Sequence, residues 1–349
     1  MEIELTQPKF AVGNEKMFFD FISKISRNER TALITHIDLD GMTCAKVVNE
    51  VVDIDFMKFV AYEGLNKNLI KEIKAEKIRK VILTDLGIDN FEFINELEKF
   101  ADVLIIDHHT FQKDINSVNT VFINSEGFAA SYMCYYLFSK IKKIEQLDWL
   151  VACAALADWE CFLNSKWMGQ VYRKYGETYV PAETNLKKGR FWEMQEVLSL
   201  FLIYFLDNLQ IAYDFIKDID SVADLRRYSN IVEKEIERCS SDFEREKEMY
   251  GDIYFWIIKS KFAVKGQVLN KASFDIKDKT LIIARREGDH YQMSARRQDG
   301  RVDLPKFLRE MTEGFRNALA GGHLKAAGCT ISVRDIDEFR ERLGKIGKK

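Results

Sequence analysis

Cysteine pairs are missing from this sequence. Its six cysteines are scattered over 349 residues, and no two of them are spaced as a CxxC pair. This spacing excludes a disulfide framework and a cysteine-ligated zinc site, and it is typical of reduced thiols in a cytoplasmic protein. Long apolar runs are also missing, because the most apolar one, residues 197–206, has about half the length that a membrane span needs. We therefore expect no membrane association.

An excess of basic residues is missing as well, because the formal net charge is −3. Any contact with nucleic acid should therefore be local rather than spread over a broad basic surface. At 349 residues with 47% hydrophobic composition, the chain is long enough for two domains with a sizeable core. Histidine is sparse, and four of the five histidines lie in the motifs described below: His36, His108, His109 and His323.

Apolar runs alternate with helical patterns in the first 160 residues. Helices are predicted between strands, and the strands are predicted at residues 31–34, 55–62, 81–83, 103–106 and 121–123. Near-continuous apolar strands of this kind form a parallel sheet that is covered on both faces. The predicted fold class is therefore α/β, with residues 1–160 as an N-terminal parallel-sheet domain.

Two further regions follow this domain. Residues 161–250 predict a helical connector, with an irregular stretch at 162–188 and long helices at 191–213 and 222–250. Residues 251–349 predict a smaller C-terminal α+β domain. Its strands are predicted at 253–259, 281–287, 291–297 and 329–333, a turn and a helix at 301–315, and a final helix at 335–343.

Acids and histidines cluster where the predicted strands end. His36, Asp38 and Asp40 alternate directly after the first strand and precede Gly41. Right-handed crossovers bring the ends of successive parallel strands to one edge of a sheet, which is where such folds collect ligands. Carboxylates gathered there repel one another unless a cation neutralises them. An acidic loop that only caps a helix is the alternative for this turn.

Three further positions complete a possible metal site. Asp85 ends one strand, His108 follows another, and Asp158 closes an apolar helix. Two divalent cations clamp the attacking and leaving oxygens in phosphoryl displacement, and mixed Asp/His ligation suits Mn²⁺, with Mg²⁺ or Co²⁺ as alternatives. Asp85 could instead cap a helix, and Asp158 could be a surface acid. The predicted metal ligands are His36, Asp38, Asp40, Asp85, His108 and Asp158.

These motifs resemble those of the DHH phosphoesterase family. Asp107-His108-His109 is the signature of that family, and the HxDxDG turn, Asp85 and Asp158 fall where its other motifs lie. Near the C-terminus, Gly321-Gly322-His323 with the following Ala-Ala-Gly is similar to the DHHA1 substrate-binding domain. The glycine run departs from the family pattern, because Ala320 stands where a third glycine is common.

The resemblance implies a role for each residue. His36 and Asp38 would hold one ion, whereas Asp40, His108 and Asp158 would hold the other. Asp85 would bridge the two ions. His109 would face the scissile phosphate as an electrophile or proton donor, and Asp107 would orient an imidazole from behind. A water would be the nucleophile, with no covalent enzyme intermediate.

The resemblance also implies how substrate is held in the C-terminal domain. His323 and the backbone of Gly321 and Gly322 would grip a substrate phosphate, since glycines let the backbone approach an anion closely. Arg296 matches the strand-end arginine of the family and would bind phosphate through its guanidinium. Arg297 would point to the other side of the strand and be solvated.

The implied activity is that of a Mn²⁺-dependent phosphodiesterase that hydrolyses short RNA or DNA oligonucleotides to mononucleotides. The turn and connector look most similar to the oligoribonuclease (nanoRNase) branch of this RecJ-related family. Two alternatives stay open, namely a hydrolase of cyclic dinucleotides or 3′-phosphoadenosine phosphate, and a non-catalytic scaffold that binds nucleic acid. A homodimer is possible.

Overall fold

The computed structural model describes residues 3–26, 28–182 and 186–347. Contacts between Cα atoms divide the chain into two compact units, one ending at Ser229 and one starting at Asn230. The predicted boundaries at residues 160 and 250 stay a prediction. Each unit is built around its own sheet.

The sheet of the first unit is parallel throughout, as predicted. Its strand order is β2-β1-β3-β4-β5. Alternate side chains of one strand enter different cores, because Leu33 packs into one apolar cluster while Ala32 and Ile34 pack into another. Both faces are therefore covered, which explains the near-continuous apolar runs. The strands are β1 (Arg30–Thr35), β2 (Phe56–Phe59), β3 (Ile78–Thr84), β4 (Asp102–Asp107) and β5 (Thr120–Asn124).

Helices cover the two faces of this sheet unequally. The smaller cluster is closed by α3 and α4, and the larger one contains buried side chains from the other helices of this unit. The helices are α1 (Glu15–Ile22), α2 (Leu39–Val51), α3 (Lys67–Ala75), α4 (Phe91–Leu97), α5 (Ala130–Phe138), α6 (Asp148–Ala157), α7 (Ser165–Lys174), α8 (Arg190–Tyr204) and α9 (Leu209–Phe215).

Two predictions for residues 161–229 are wrong. The stretch 162–188 is not irregular, because it contains α7, whose buried Trp167 and Val171 recur at helical spacing. The single helix predicted at 191–213 is broken between α8 and α9, which are bent by 70° across a short 3₁₀ turn. Trp167 and Phe191 are fully buried in the larger cluster of the first unit. This region therefore contributes to the core rather than only connecting domains.

The second unit contains a mixed six-stranded sheet of order β10-β11-β9-β8-β7-β6. Only the β7–β8 pair is parallel among the described ladders. The helix at 265–275 and the strand at 319–323 were not predicted. The helix predicted at 222–250 is too long, because it ends at Glu246 and a strand follows at 248–250. The elements are α10 (Val222–Glu246), which contains the unit boundary, β6 (Glu248–Tyr250), β7 (Ile253–Ile258), α11 (Lys265–Asp275), β8 (Thr280–Glu287), β9 (His290–Arg296), α12 (Leu304–Met311), β10 (Leu319–His323), β11 (Ala326–Ser332) and α13 (Ile336–Ile346).

No single helix in the described part of the chain is long and apolar enough to cross a membrane. The bent pair of α8 with residues 206–215 passes such a length and composition test only when the two pieces are taken together.

Replacing Trp167 by alanine should strongly destabilise the protein, because the side chain is fully buried in the larger cluster. Truncation of a buried tryptophan costs about 3–5 kcal/mol of unfolding free energy. Urea unfolding followed by circular dichroism measures this loss. Leu163→Ala is the matched control, since Leu163 is 60% exposed. Equal stability of the two variants would contradict the packing described for α7.

Candidate metal centre

The turn after β1 positions three candidate ligands and also starts a helix. Helix α2 begins at Leu39, and Asp38 caps it by accepting the backbone N–H of Gly41 through Oδ1 at 3.0 Å. A Cβ atom at Gly41 would lie 2.3 Å from the carbonyl oxygen of His36, so the tight turn requires glycine. Capping therefore occupies one oxygen of Asp38 and leaves the other facing His36.

The first ligand group consists of His36, Asp38 and Asp85, whose ligand atoms lie within 4.8 Å of one another. His36 Nδ1 is 2.8 Å from Asp38 Oδ2 and 3.7 Å from Asp85 Oδ2. Neither contact has hydrogen-bond geometry, because His36 Nδ1 and Asp85 Oδ2 have no hydrogen-bond partner among the described residues. The three side chains thus converge without forming hydrogen bonds to one another.

The second group consists of Asp40, His108 and Asp158, again within 4.8 Å of one another. His108 Nε2 lies 3.2 Å from Asp158 Oδ2. Asp40 is buried in the first turn of α2, and its two oxygens accept the backbone N–H groups of Ala130 and Ser131 at 2.7 and 3.1 Å. Asp40 therefore joins the start of α5 to this group.

Asp85 faces both groups from the end of β3. Its Oδ2 lies toward His36, and its Oδ1 is 3.4 Å from His108 Nε2. The residue is 2% exposed and adopts a left-handed backbone with φ of 60°. Such a backbone is uncommon outside glycine and costs free energy, so the surrounding structure must hold it in place.

Asp107 provides that support. Its Oδ2 accepts the backbone N–H groups of Leu86 and Gly87, which follow Asp85, at 3.2 and 2.6 Å. Its Oδ1 accepts the backbone N–H groups of His108 and His109 and lies 2.7 Å from His109 Nδ1. One buried carboxylate therefore joins the ends of β3 and β4 and orients the His109 ring.

Burial and mutual repulsion set the charge of the acids. Burial raises the pKa of Asp85 well above its ordinary value, and the nearby charges of Asp40 and Asp38 raise it further. The same two causes raise the pKa of Asp158 to about 9. For Asp107, burial acts in the same direction, but hydrogen bonds from His109 and its backbone N–H lower the pKa overall. The acids are thus held together at an electrostatic cost.

The unpartnered atoms fit a divalent cation. His36 Nδ1, Asp85 Oδ2 and Asp158 Oδ2 are buried and have no hydrogen-bond partner in the described part of the chain. Buried polar atoms normally have partners, and leaving them unpaired is costly. Divalent cations bind both imidazole nitrogens and carboxylate oxygens, and they would relieve the repulsion between the carboxylates. Carboxylate and imidazole ligands without cysteine suit Mn²⁺ or a related ion.

Tyr62 belongs to this centre and was missed in the sequence. Its ring stacks on His36 with centroids 4.6 Å apart and planes 17° apart, and its hydroxyl lies 3.1 Å from His109 Nε2. Burial and the charges of Asp85 and Asp38 raise the pKa of Tyr62, so the phenol stays protonated. Tyr62 is the last residue of the strand predicted at 55–62, and this position already indicated that it lies at the ligand-binding edge of the sheet.

Trp159 and Glu160 directly follow Asp158 in the sequence. Trp159 has a φ of 60° and contacts Trp192 edge to face at 5.9 Å. Burial raises the pKa of Glu160, while the charge of His108 opposes that shift. Glu160 is therefore a further acid beside the second ligand group.

Arg296 and Arg297 lie at the end of β9 in the second unit. Arg296 is the last residue of β9, and its Nε donates to Asn270 Oδ1 at 3.0 Å. The prediction that Arg297 is solvated is wrong, because Arg297 is 5% exposed and its Nε lies 2.8 Å from Asp299 Oδ1. Arg297 follows the strand instead of continuing it, so alternation along the strand does not determine its direction.

The glycine motif lies in the exposed strand β10. Gly322 has a φ of 131°, and a Cβ atom there would lie 2.5 Å from the carbonyl oxygen of Ala326, so this position requires glycine. Gly321 lines a 440 Å³ cavity together with Lys265. His323, also exposed, ends the strand. Lys265 is a basic group near this motif that the sequence did not single out.

Two family models match the chain. Residues 30–157 match the DHH family, N-terminal domain, and residues 258–349 match the DHHA1 domain. No curated protein matches the sequence. The first model covers the strands of the parallel sheet and the six predicted ligands except Asp158, which lies one residue beyond its end.

Solved structures share this fold. Exonuclease RecJ bound to manganese has a TM-score of 0.70 at 14% identity, with 100% of this chain and 97% of that chain covered. RecJ in complex with Mn²⁺ from Thermus thermophilus has a TM-score of 0.69 at 14% identity, with 99% and 56% covered. CDC45 from Entamoeba histolytica has a TM-score of 0.62 at 9% identity, with 96% and 98% covered. At these identities the likeness shows the fold.

The metal-free protein should lose stability as pH rises. Asp158 has a pKa of about 9 in the fold against an ordinary value of 3.8, so the folded state holds a proton that the unfolded state releases. The resulting stability is present below about pH 4 and is lost as pH rises toward 9. Mn²⁺ should reverse this loss, because it replaces the protons. Thermal unfolding with and without Mn²⁺ across this pH range measures both effects.

Asp85→Asn is the informative variant for this experiment. Asparagine is neutral without binding a proton, so the substitution should raise the Tm of the metal-free protein near neutral pH. It also removes a metal ligand, so the rise in Tm caused by Mn²⁺ should be smaller. Asp89→Asn is the matched control, because Asp89 is exposed near the same strand end. A metal-free Tm that does not fall with pH in the unsubstituted protein would contradict the electrostatic description.

Proposed function

The chain belongs to the DHH family, carrying its N-terminal domain and a DHHA1 domain, and we propose that it is a phosphodiesterase that hydrolyses short oligonucleotides to mononucleotides with two divalent cations, most simply Mn²⁺. The observation that carries this proposal is the position of Asp85, whose two oxygens face two separate ligand groups. A carboxylate that bridges two ions needs this arrangement.

The two ligand groups would each hold one ion. His36 and Asp38 would hold one ion with Asp85, in accordance with the first group. When bound, the ions would supply positive charge for the phosphate and make water more acidic. A non-catalytic scaffold does not need these metal ligands. In such a protein the buried carboxylates would repel one another with no cation to compensate.

His109 is the residue that we assign to the scissile phosphate. Asp107 holds its Nδ1, so that Nε2 is the nitrogen available on the side of Tyr62. Burial opposes protonation of His109, but the hydrogen bond and charge of Asp107 raise its pKa overall, which favours a proton on this ring. His109 would give that proton to the leaving oxygen, while Asp107 keeps the ring in place.

The second unit would bind substrate phosphate. Arg296 would do so through its guanidinium, and the backbone of Gly321 and Gly322 would approach an anion without side-chain obstruction. His323 would add a further donor. Lys265, which shares a cavity with Gly321, supports anion binding by this face of the unit.

Turnover of different phosphodiesters tests the proposal. Purified protein with Mn²⁺ is given a dinucleotide, a five-nucleotide chain, a much longer chain and cyclic di-AMP, and mononucleotide release is measured. We expect the two shortest linear substrates to be preferred. Turnover confined to cyclic di-AMP, or no turnover of any of the four, would reject this function.

Asp85→Ala should abolish turnover while the fold is retained, because it removes the only carboxylate that faces both groups among the described residues. Loss of several kcal/mol of charge stabilisation corresponds to about a 10³-fold decrease in kcat. Single-turnover kinetics on a dinucleotide measure it, with circular dichroism as the fold check. Asp89→Ala is the control. Substantial activity of Asp85→Ala would contradict the bridging role.

His323→Ala should mainly raise KM. Loss of a hydrogen bond to a charged group costs about 1.5–3 kcal/mol, which corresponds to about a 10- to 100-fold increase. Steady-state kinetics on a dinucleotide separate KM from kcat. His290→Ala serves as the control, because His290 lies at the start of β9 rather than in the glycine motif. An unchanged KM with native kcat would exclude the phosphate role of His323.

A further inference from the structure

A cavity lies beside the metal centre within the first unit. Its volume is 330 Å³, and Tyr62 forms part of its wall. Leu65, Ile70 and Phe93 also line it, and all three are buried apolar residues. Sites for small molecules typically start at about 300 Å³ and combine apolar walls with a few polar groups. The cavity therefore has room for one small ligand.

Tyr62 joins this cavity to the reacting groups. Its ring stacks on His36, its hydroxyl lies 3.1 Å from His109 Nε2, and its side lines the cavity. The residue is 49% exposed, so the tyrosine is not hidden by its contact with His36. A ligand in the cavity is thus separated from the His109 imidazole by one side chain.

The charged residues of the lining are mainly acidic, and two asparagines, Asn66 and Asn90, add amide groups. Three glutamates, Glu63, Glu92 and Glu96, line the cavity together with one lysine, Lys67, which lies 3.4 Å from Glu92. Glu96 additionally pairs with Lys99. The remaining negative charge disfavours a phosphate in the cavity, whereas carboxylates accept hydrogen bonds from amino groups and hydroxyls. The lining therefore suits an uncharged ligand with N–H or O–H donors.

We propose that this cavity is the subsite for the terminal nucleoside of the substrate, with Tyr62 as its stacking wall. This assignment rests on the proposed function, because it places the phosphate of that nucleoside at His109. A terminal nucleoside has one phosphodiester, which would lie at His109, so that only uncharged groups contact the acidic lining. An internal nucleotide has a second phosphate, whose negative charge the lining would repel. The cavity thereby selects chain ends and restricts cleavage to single nucleotides.

Filling the cavity tests the proposal. Ile70→Trp places a large ring at a buried lining position, and Lys67→Trp places one at an exposed lining position, so that at least one variant is expected to fold. Each is compared on adenylyl-(3′→5′)-adenosine (ApA) and on methyl p-nitrophenyl phosphate, which has no nucleoside. The ratio of the two kcat/KM values should fall about tenfold or more, which is the scale of lost base–aromatic stacking. Lys71→Trp is the matched control, because Lys71 is exposed on the same helix and does not line the cavity.

The subsite and the proposed function can fail separately. If the unsubstituted protein hydrolyses ApA and both tryptophan variants keep the ratio of the control, the subsite is rejected while the function stands. If the unsubstituted protein hydrolyses neither compound, the function is rejected.

Equilibrium dialysis with adenosine then tests the cavity separately. Saturable binding that is lost in Ile70→Trp and Lys67→Trp, but kept in Lys71→Trp, supports the subsite. Absence of such binding overturns it.

Discussion

The hydrogen bonds of the Asp107 carboxylate hold the candidate centre together. Four backbone N–H groups from the turns after β3 and β4, together with the His109 ring, converge on this one buried side chain. The left-handed backbone of Asp85 depends on them, because the next two amides are held by the same carboxylate. Without these bonds the two strand ends would have no common support, and Asp85 could not face both ligand groups.

The buried acids at this edge of the sheet lower the stability of the metal-free protein. Asp40, Asp85 and Asp158 have pKa values raised by burial and by the charges of neighbouring carboxylates, and three buried atoms of the centre have no hydrogen-bond partner in the described residues. A chain selected only for stability would replace such a group with apolar or paired side chains. The large apolar clusters on both faces of the sheet supply the stability that allows this arrangement to persist.

The parallel sheet and the ligand positions could be predicted because both follow from local patterns. Buried parallel strands are apolar almost throughout, and the residues that directly follow them meet at one edge, which brought His36, Asp85 and His108 together. Tyr62 was missed because an aromatic residue at a strand end usually indicates packing. Helix α7 and the burial of Arg297 depend on tertiary contacts that no local pattern reveals. The residue roles stay predictions, since geometry shows proximity and not chemistry.

Asp40 has a structural role that does not depend on its proposed role as a metal ligand. Its oxygens hold the first amides of α5, so this carboxylate is needed for the fold even when catalysis is not. In a descendant without a metal centre, Asp158 would be free to change, whereas Asp38, Asp40 and Asp107 would persist because they accept backbone hydrogen bonds. An acid that survives at one of those three positions in a relative is therefore weaker evidence of catalysis than one that survives at Asp158.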